Sequence, residues 1–258
     1  MAYLDSYIRS DRFDPGFNLA AEDYLFNQRQ DNILFTYTNE PCVVIGSNQA
    51  IHLEIDLDYC HNRGIKQYRR ISGGGAVFQD FGNRNFCLIR NREEGRFPLG
   101  LEFLKPVVAT FNNMGLPVYT GKRKDLWLDG CKFSGTASHI GNKRALHHGT
   151  MMYDVNIEDL NHSLKAVIND DDINNLKECD NDVKAILSVP SPVINIKAYL
   201  ESKGLYVYSI NEFFDKLGNQ FIKDFNVPES RGFTEEEICK IEIIKKEIYD
   251  KVSWIYKK

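Results

Sequence analysis

Apolar residues recur along this chain in two rhythms, which divide it into short strands and separate helices. After Asp14-Pro15, where aspartate caps and proline fits the first turn, Phe17, Ala20, Ala21, Tyr24 and Leu25 share one helical face. Residues 33–37 and 42–45 predict two strands joined by a hairpin-like turn at Thr38-Asn39-Glu40-Pro41. A helix over 54–63 ends at Gly64, and strands are predicted over 66–71, 76–78 and 86–89. Leu101, Leu104, Val108 and Phe111 mark a helix closed by Gly115. Residues 126–128 and 131–134 predict a hairpin around Asp129-Gly130, a favoured tight-turn pair. A strand over 147–155 and a short helix capped by Asn156 follow. Asn195 and Asn211 each precede a helical pattern. Thr234-Glu235-Glu236-Glu237 is a capping box, and Ile238, Ile241, Ile248 and Val252 give the last helix its apolar face. Short strands joined mostly by hairpins, with helices between the blocks, predict an α+β fold with a mainly antiparallel sheet flanked by helices. The regular β-α-β alternation of a dinucleotide-binding fold is absent.

The pattern breaks most sharply at Arg69-Arg70-Ile71-Ser72-Gly73-Gly74-Gly75-Ala76-Val77. A glycine triplet costs chain entropy, so it marks a turn or a close approach. Consecutive amides without β-carbons can hold an anion, and Arg69 and Arg70 add forked donors suited to phosphate. A ligand-free glycine hairpin is the bland alternative, and the triplet alone leaves the two open. It is neither a Walker P-loop nor a G-x-G-x-x-G turn. Residues 169–183, with six acidic side chains and little apolar character, read as a solvated insertion or a lid.

Composition narrows this picture modestly. A chain of 258 residues forms one large domain, or one with a small appendage. A net charge of -4 supplies no field for nucleic acid, so an anion site must be local. There is no apolar run of membrane-spanning length, and the polar start is no signal peptide. The six cysteines are scattered with no C-x-x-C pair, as in a reduced, cytoplasmic protein.

Two further blocks carry candidate chemistry. In Asp129-Gly130-Cys131-Lys132-Phe133-Ser134-Gly135-Thr136-Ala137, strand alternation sets Lys132 and Ser134 on one face and Cys131 and Phe133 on the other. Lys132 is then either a cation aimed into a cleft or an exposed lysine. In His147-His148-Gly149-Thr150 the two histidines face opposite ways and cannot easily share a metal. One of them can donate hydrogen bonds in a cleft while the other is structural.

Taken in order, these blocks, together with Asp80-Phe81-Gly82-Asn83-Arg84-Asn85 and Phe17-Asn18-Leu19-Ala20-Ala21-Glu22, resemble the lipoate–protein ligase A family over nearly the whole chain. The resemblance implies the catalytic fold shared with biotin ligases and class II aminoacyl-tRNA synthetases. It divides the chain into a catalytic domain (residues 1–232) and a C-terminal helix (233–258) that in relatives leads to an accessory domain. It implies ATP-dependent formation of lipoyl-AMP with Mg²⁺, then transfer of lipoyl to a lysine on a lipoyl acceptor. Acceptors would be glycine-cleavage H protein or the lipoyl domains of 2-oxoacid dehydrogenase acyltransferases. The alternative reading, a transferase using a preformed adenylate or carrier-bound acyl group, leaves adenylation to a separate accessory protein.

By the same resemblance, Lys132 contacts the acyl carbonyl and α-phosphate. Arg70, Ser72, Gly73, Gly74, Gly75, Val77, Ser134, Gly135, Thr136, His148 and Thr150 hold the adenylate. Asn83 stands near the nucleotide and Mg²⁺, with no dedicated protein metal site. Val43 and Val77 would line the lipoyl tunnel. Departures from the family pattern are Gln79 for histidine, Lys124 for asparagine, and Pro192 for arginine. Cys131 is the thioester candidate of a rival acyltransferase. A biotin ligase and a lipoate-sensing module are the remaining rivals; an intact Lys132 argues against the sensor.

Overall fold

The computed structural model describes residues 4–92, 101–164 and 188–257. Its strands are β1 (Ser6–Arg9), β2 (Ile33–Tyr37), β3 (Cys42–Ile45), β4 (Lys66–Arg69), β5 (Val77–Gln79), β6 (Asn83–Asn91), β7 (Tyr119–Thr120), β8 (Leu126–Leu128), β9 (Cys131–Ser134), β10 (Thr136–Ile140) and β11 (Arg144–Met152). The helices are α1 (Pro15–Gln28), α2 (Ile51–Glu54), α3 (Leu57–Asn62), α4 (Leu101–Asn113), α5 (Ile157–Ser163), α6 (Ile196–Ser202), α7 (Ile210–Phe225), α8 (Glu235–Ile244), which runs into a π turn at Lys245–Tyr249, and α9 (Val252–Ile255). No helix among the described residues is long and apolar enough to cross a membrane.

A central sheet has the order β1-β2-β6-β11-β10, antiparallel except for the β1/β2 pair. A second sheet, β4-β3-β5, and a third, β7-β8-β9, stand beside it. One face of the central sheet, through Leu34, Phe86 and Leu88, packs on α4, α6 and α7. The other, through Phe35, Cys87 and Ile89, packs on α1, α8 and the second sheet. Alternation along β6 therefore separates two cores. A smaller core joins Val43, Ile45 and Phe78 to α2, α3 and α5.

The fold class and most elements are as expected, with local corrections. β2 and β3 are not a hairpin but lie in different sheets. The buried Asn39 between them bonds Asn18 and Gln79, which carries the chain across the gap rather than back on itself. The helix expected over 54–63 is two helices, because Asp56 accepts from the Tyr59 amide and starts a new one. Asn195 spends its side chain on Val155 rather than capping α6, and the cap of α7 is Ser209, in a capping box with Glu212. The Thr234 capping box and the 129–130 turn, with both residues at positive φ, are found. Val252 is exposed, off the apolar face. Residues 169–183 lie outside the described residues.

Candidate active site

Where the second sheet meets the open end of β6 and β11, a cavity of about 300 Å³ is lined by residues from α1, β2, β3, β5, β9, β10 and β11 and by the glycine loop. Its apolar side is Leu19, Tyr37, Val44 and Val77, and its polar side includes Lys132, Asp125, Arg123, His148 and Thr150.

The glycine loop is held by Arg70. This buried guanidinium donates to the carbonyls of Val44 (3.0 Å), Gly73 (2.6 Å) and Gly75 (2.8 Å), and its Nε to Ser72 Oγ (2.9 Å). Because the peptide unit is planar and trans, turning the Gly73 carbonyl toward Arg70 turns the Gly74 N–H away from it. Gly74 takes φ +85°, open to glycine at little cost. Gly46 allows the close approach of this loop: a β-carbon there would stand 2.0 Å from the Gly74 carbonyl oxygen. Burial lowers the Arg70 pKa to about 10, yet it remains a cation at neutral pH.

Ser72 links this clamp to a buried polar chain. His148 Nε2 lies 2.6 Å from Ser72 Oγ, and His148 Nδ1 lies 2.7 Å from Glu22, which also accepts from the Tyr37 hydroxyl at 2.9 Å. The line of serine, histidine and carboxylate has the look of a nucleophile triad. Ser72 is wholly buried, however, and its oxygen accepts from Arg70, so it clamps the loop rather than attacks. Cys87 approaches Glu22 and His148 within 4.8 Å, a set that could in principle hold a metal. The three are instead paired by hydrogen bonds, and burial and Glu22 push the Cys87 thiol pKa well up.

Lys132 is fixed by its backbone on both sides. It pairs with Trp127 of β8, donates its N–H to the Pro192 carbonyl (2.8 Å) and accepts from Ile194 N–H (3.0 Å). Its ammonium lies beside Gly135, at 3.5 Å from where a β-carbon on that glycine would be. Burial lowers its pKa, against the pull of Asp125 at 3.9 Å. Asp125 is buried and neither carboxylate oxygen has a hydrogen-bond partner. Thr150 Oγ1 accepts from Gly135 N–H (3.0 Å), tying β11 to the turn after β9.

Of the expected residues, Lys132, Arg70, Gly74, Gly75, Val77, Gly135, Thr136, His148 and Thr150 line the cavity, whereas Ser72, Gly73, Asn83 and Ser134 do not. Ser134 is turned inward because β9 carries one extra residue in its register with β8, which breaks the alternation with Lys132. Asn83 bonds Asn85 and the Met151 amide, and it is Asn85 that reaches the cavity. Val43 faces the small core, and its neighbour Val44 lines the cavity. Arg69 is no phosphate ligand: its guanidinium donates to the carbonyls of Gly46, Ser47, Gln49, Trp254, Ile255 and Lys257. Gln79, at the family's histidine position, accepts amide protons from Asn39 (2.8 Å) and Asn85 (3.1 Å). Lys124 stands at φ +65°, a conformation that asparagine tolerates better. Glu22 and Asp125 carry no site signal in the sequence, since only the fold brings a helix carboxylate to His148 and a loop carboxylate to Lys132.

The lipoyl protein ligase A/B catalytic domain profile matches residues 14–222. Lipoate-protein ligase LplJ of Bacillus subtilis is 34% identical over 249 residues, covering 94% of this chain and 70% of that protein. The probable lipoate-protein ligase A of Mycoplasma genitalium is 29% identical over 256 residues, 97% of this chain and 71% of the other. Among solved structures, a bi-partite lipoate protein ligase of Thermoplasma acidophilum, described with its E2 lipoyl domain, superposes with a TM-score of 0.78 at 22% identity. That match covers 99% of this chain and 97% of the other. A lipoate-protein ligase A bound with ATP superposes equally, TM-score 0.78 at 21% identity over 99% of each chain. At such identities the superpositions speak for the fold.

Proposed function

We propose a function for a chain that belongs to the lipoyl protein ligase A/B catalytic family: it is an ATP-dependent lipoate–protein ligase. It joins the carboxylate of lipoate to AMP from ATP, releases pyrophosphate, and passes the lipoyl group to a lysine of a lipoyl domain. The observation that carries this reading is Lys132, a half-buried ammonium locked by backbone pairing in the same cavity as the Arg70-clamped glycine loop and the apolar Leu19, Val44 and Val77.

The two steps ask the same thing of these residues. In the first, a lipoate oxygen bonds to the α-phosphorus and pyrophosphate leaves. In the second, an acceptor amine bonds to the acyl carbon, AMP leaves, and the amine loses its proton. Each passes through a crowded anionic centre that fixed donors stabilise without reorganising. Lys132 supplies the charge, the loop amides supply dipoles, and Leu19, Val44 and Val77 take the apolar chain and exclude water from it. Lys132 stays an amine cation throughout and forms no covalent intermediate.

The nucleotide implies Mg²⁺, and the cavity suits it. Asp125 offers two buried carboxylate oxygens with no hydrogen-bond partner, hard donors of the kind magnesium takes. Asp125 would hold the ion, which when bound neutralises phosphate charge. The acceptors we propose are the lipoyl domains of 2-oxoacid dehydrogenases, supported by the T. acidophilum relative described with its E2 domain, and glycine-cleavage H protein. That relative is bi-partite, which favours a second reading in which a separate accessory protein assists adenylation and this chain alone transfers a preformed adenylate. A cysteine-thioester route finds no support: among the described residues no cysteine lines the cavity, and Cys131 lies on the hairpin opposite Leu128. We place the reaction in the cytoplasm, where the unpaired described cysteines stay reduced. The test is lipoate-dependent release of pyrophosphate with lipoyl-AMP detected by mass spectrometry. No lipoyl-AMP, with or without an accessory protein, and no transfer from supplied lipoyl-AMP would reject the function.

A further inference from the structure

Gln79, a departure from the family pattern, ends two chains of buried carboxamides. Both chains start on backbone groups, which fixes the orientation of every amide in them. In the first, Asn18 donates from its side-chain nitrogen to the Arg12 carbonyl (2.8 Å) and to Asn39 Oδ1 (2.8 Å). Asn39 therefore turns its own nitrogen to Gln79 Oε1 (2.8 Å). In the second, Asn83 Oδ1 accepts from the Met151 amide (3.1 Å), and its nitrogen donates to Asn85 Oδ1 (3.0 Å). The Asn85 nitrogen then donates to Gln79 Oε1 (3.1 Å). Flipping any one of these amides would set oxygen against oxygen or nitrogen against nitrogen.

The two chains meet on one oxygen, so Nε2 is the polar atom that Gln79 has left. Gln79 is 5% exposed and lines the cavity, and its Nε2 has no partner among the described residues. Position 79 thus offers the cavity N–H donors and no acceptor. A buried donor without a partner is costly, and a ligand acceptor recovers that cost. The place of the donors tells which part of a ligand they meet. Tyr37, Asn85 and Thr150 are register partners across β2, β6 and β11, a row along the cavity wall. Thr150 ties that row to Gly135, beside which the Lys132 ammonium lies. The next row, with Cys87 and His148, meets Glu22 and the Ser72 clamp. Gln79, bonded to Asn85, belongs to the Lys132 row. An acyl chain has one polar group, which Lys132 takes, whereas AMP brings phosphate and ribose oxygens and ring nitrogens that accept.

We propose that Gln79 is a specificity-determining residue of this site, donating from Nε2 to an acceptor on the AMP half of the adenylate. Asn39 and Asn83 are the positioning residues that keep its oxygen inward and its nitrogen outward. The inference rests on the adenylate reading of the cavity. It also gives a physical reason why glutamine can stand where the family pattern has histidine. A neutral imidazole likewise accepts on one nitrogen and donates from the other.

Calorimetric titration with lipoyl-AMP and, separately, with lipoate tests this without catalysis. In Gln79→Glu one carboxylate oxygen still accepts from both asparagines, while the other turns an acceptor toward the ligand. Affinity for lipoyl-AMP should fall about tenfold or more. Lipoate should bind as it does to the unaltered chain, which also shows that the variant is folded. Gln79→His restores an outward donor and should recover most of the loss. Equal lipoyl-AMP affinity in the unaltered chain and Gln79→Glu overturns the proposal and leaves the ligase reading intact. A loss shared equally by lipoate overturns it too, because the donor then serves no part of AMP. So does a Gln79→His protein that binds no better than Gln79→Glu. An unaltered chain that binds lipoate but not lipoyl-AMP rejects the adenylate reading itself, and the proposal with it.

Discussion

The buried chain from Glu22 to Arg70 makes a quantitative claim about a carboxylate that touches no substrate. Glu22 is 1% exposed and accepts from Tyr37 and His148, with the Cys87 thiol a further donor. An ionised carboxylate is acceptor-only, so every contact is satisfied. In Glu22→Gln an N–H₂ group replaces one oxygen and meets a donor, and one charge-assisted hydrogen bond is lost. Such bonds contribute about 1.5–3 kcal/mol net, so a loss of about 2 kcal/mol is expected. With an unfolding entropy of about 2.1 cal/mol/K per residue, 258 residues give about 0.5 kcal/mol/K and a fall in Tm of about 4 °C. The function should suffer separately. Without Glu22, the His148 tautomer that accepts from Ser72 is no longer enforced, Arg70 loosens, and the loop amides lose their aim. Affinity for lipoyl-AMP should fall about tenfold. Ser72→Ala should weaken lipoyl-AMP binding similarly, and the double variant should be little worse than either single, because both cut the same chain. Differential scanning calorimetry reads the first quantity and titration with lipoyl-AMP the second. A variant with unchanged Tm and unchanged affinity, or full additivity with Ser72→Ala, would refute the relay.

Further expectations follow from single residues. Lys132→Ala should lower the rate of acceptor modification about 10²–10³-fold with lipoyl-AMP as donor, leaving Tm near the unaltered value; retained turnover in a single-turnover assay would remove its charge from the mechanism. Since burial lowers the Lys132 pKa, its ammonium is lost at a lower pH than a free lysine's, and activity should decline on the alkaline side earlier than the free-lysine value of 10.5. Lys124→Asn relieves a left-handed backbone at φ +65° and should raise Tm by about 1–2 °C, read in thermal melts. Burial lowers the His147 pKa to about 3, so below the ordinary 6.5 the unfolded chain takes up a proton that the folded chain refuses. Stability should therefore fall as pH drops from about 6.5 toward 3, and His147→Phe, which keeps the stacking on Phe103, should flatten that slope in melts.

Local chemistry made much of this molecule legible in advance. The Asp14 and Thr234 caps, the Asp129-Gly130 turn and the opposed histidines are settled by neighbours in sequence, and each is found. What escaped depends on distant parts of the chain. Nothing in 38–41 announces that Asn39 will bond Asn18 and Gln79 and so split a hairpin between two sheets. Arg69 and Arg70 look alike in sequence, yet strand alternation sends one to the C-terminal carbonyls and the other to the glycine loop. Parity arguments held where the ladder is regular, for His147 and His148. They failed at Ser134, where an extra residue enters the register. The resemblance named Val43 for the cavity wall, but the choice of face there belongs to the packing of a whole sheet. Resemblance located the blocks, and the geometry sorted donors that face the cavity from donors that hold those in place.

The central claim is that Lys132 and the clamped glycine loop serve lipoyl transfer to protein. Intact-mass spectrometry of an apo lipoyl domain, incubated with this chain, ATP, Mg²⁺ and lipoate, and in parallel with lipoyl-AMP alone, tests it directly. The account predicts the gain of one lipoyl group on the acceptor lysine from lipoyl-AMP, abolished by Lys132→Ala. An acceptor mass unchanged with lipoyl-AMP supplied, or changed equally by the Lys132→Ala protein, would contradict it.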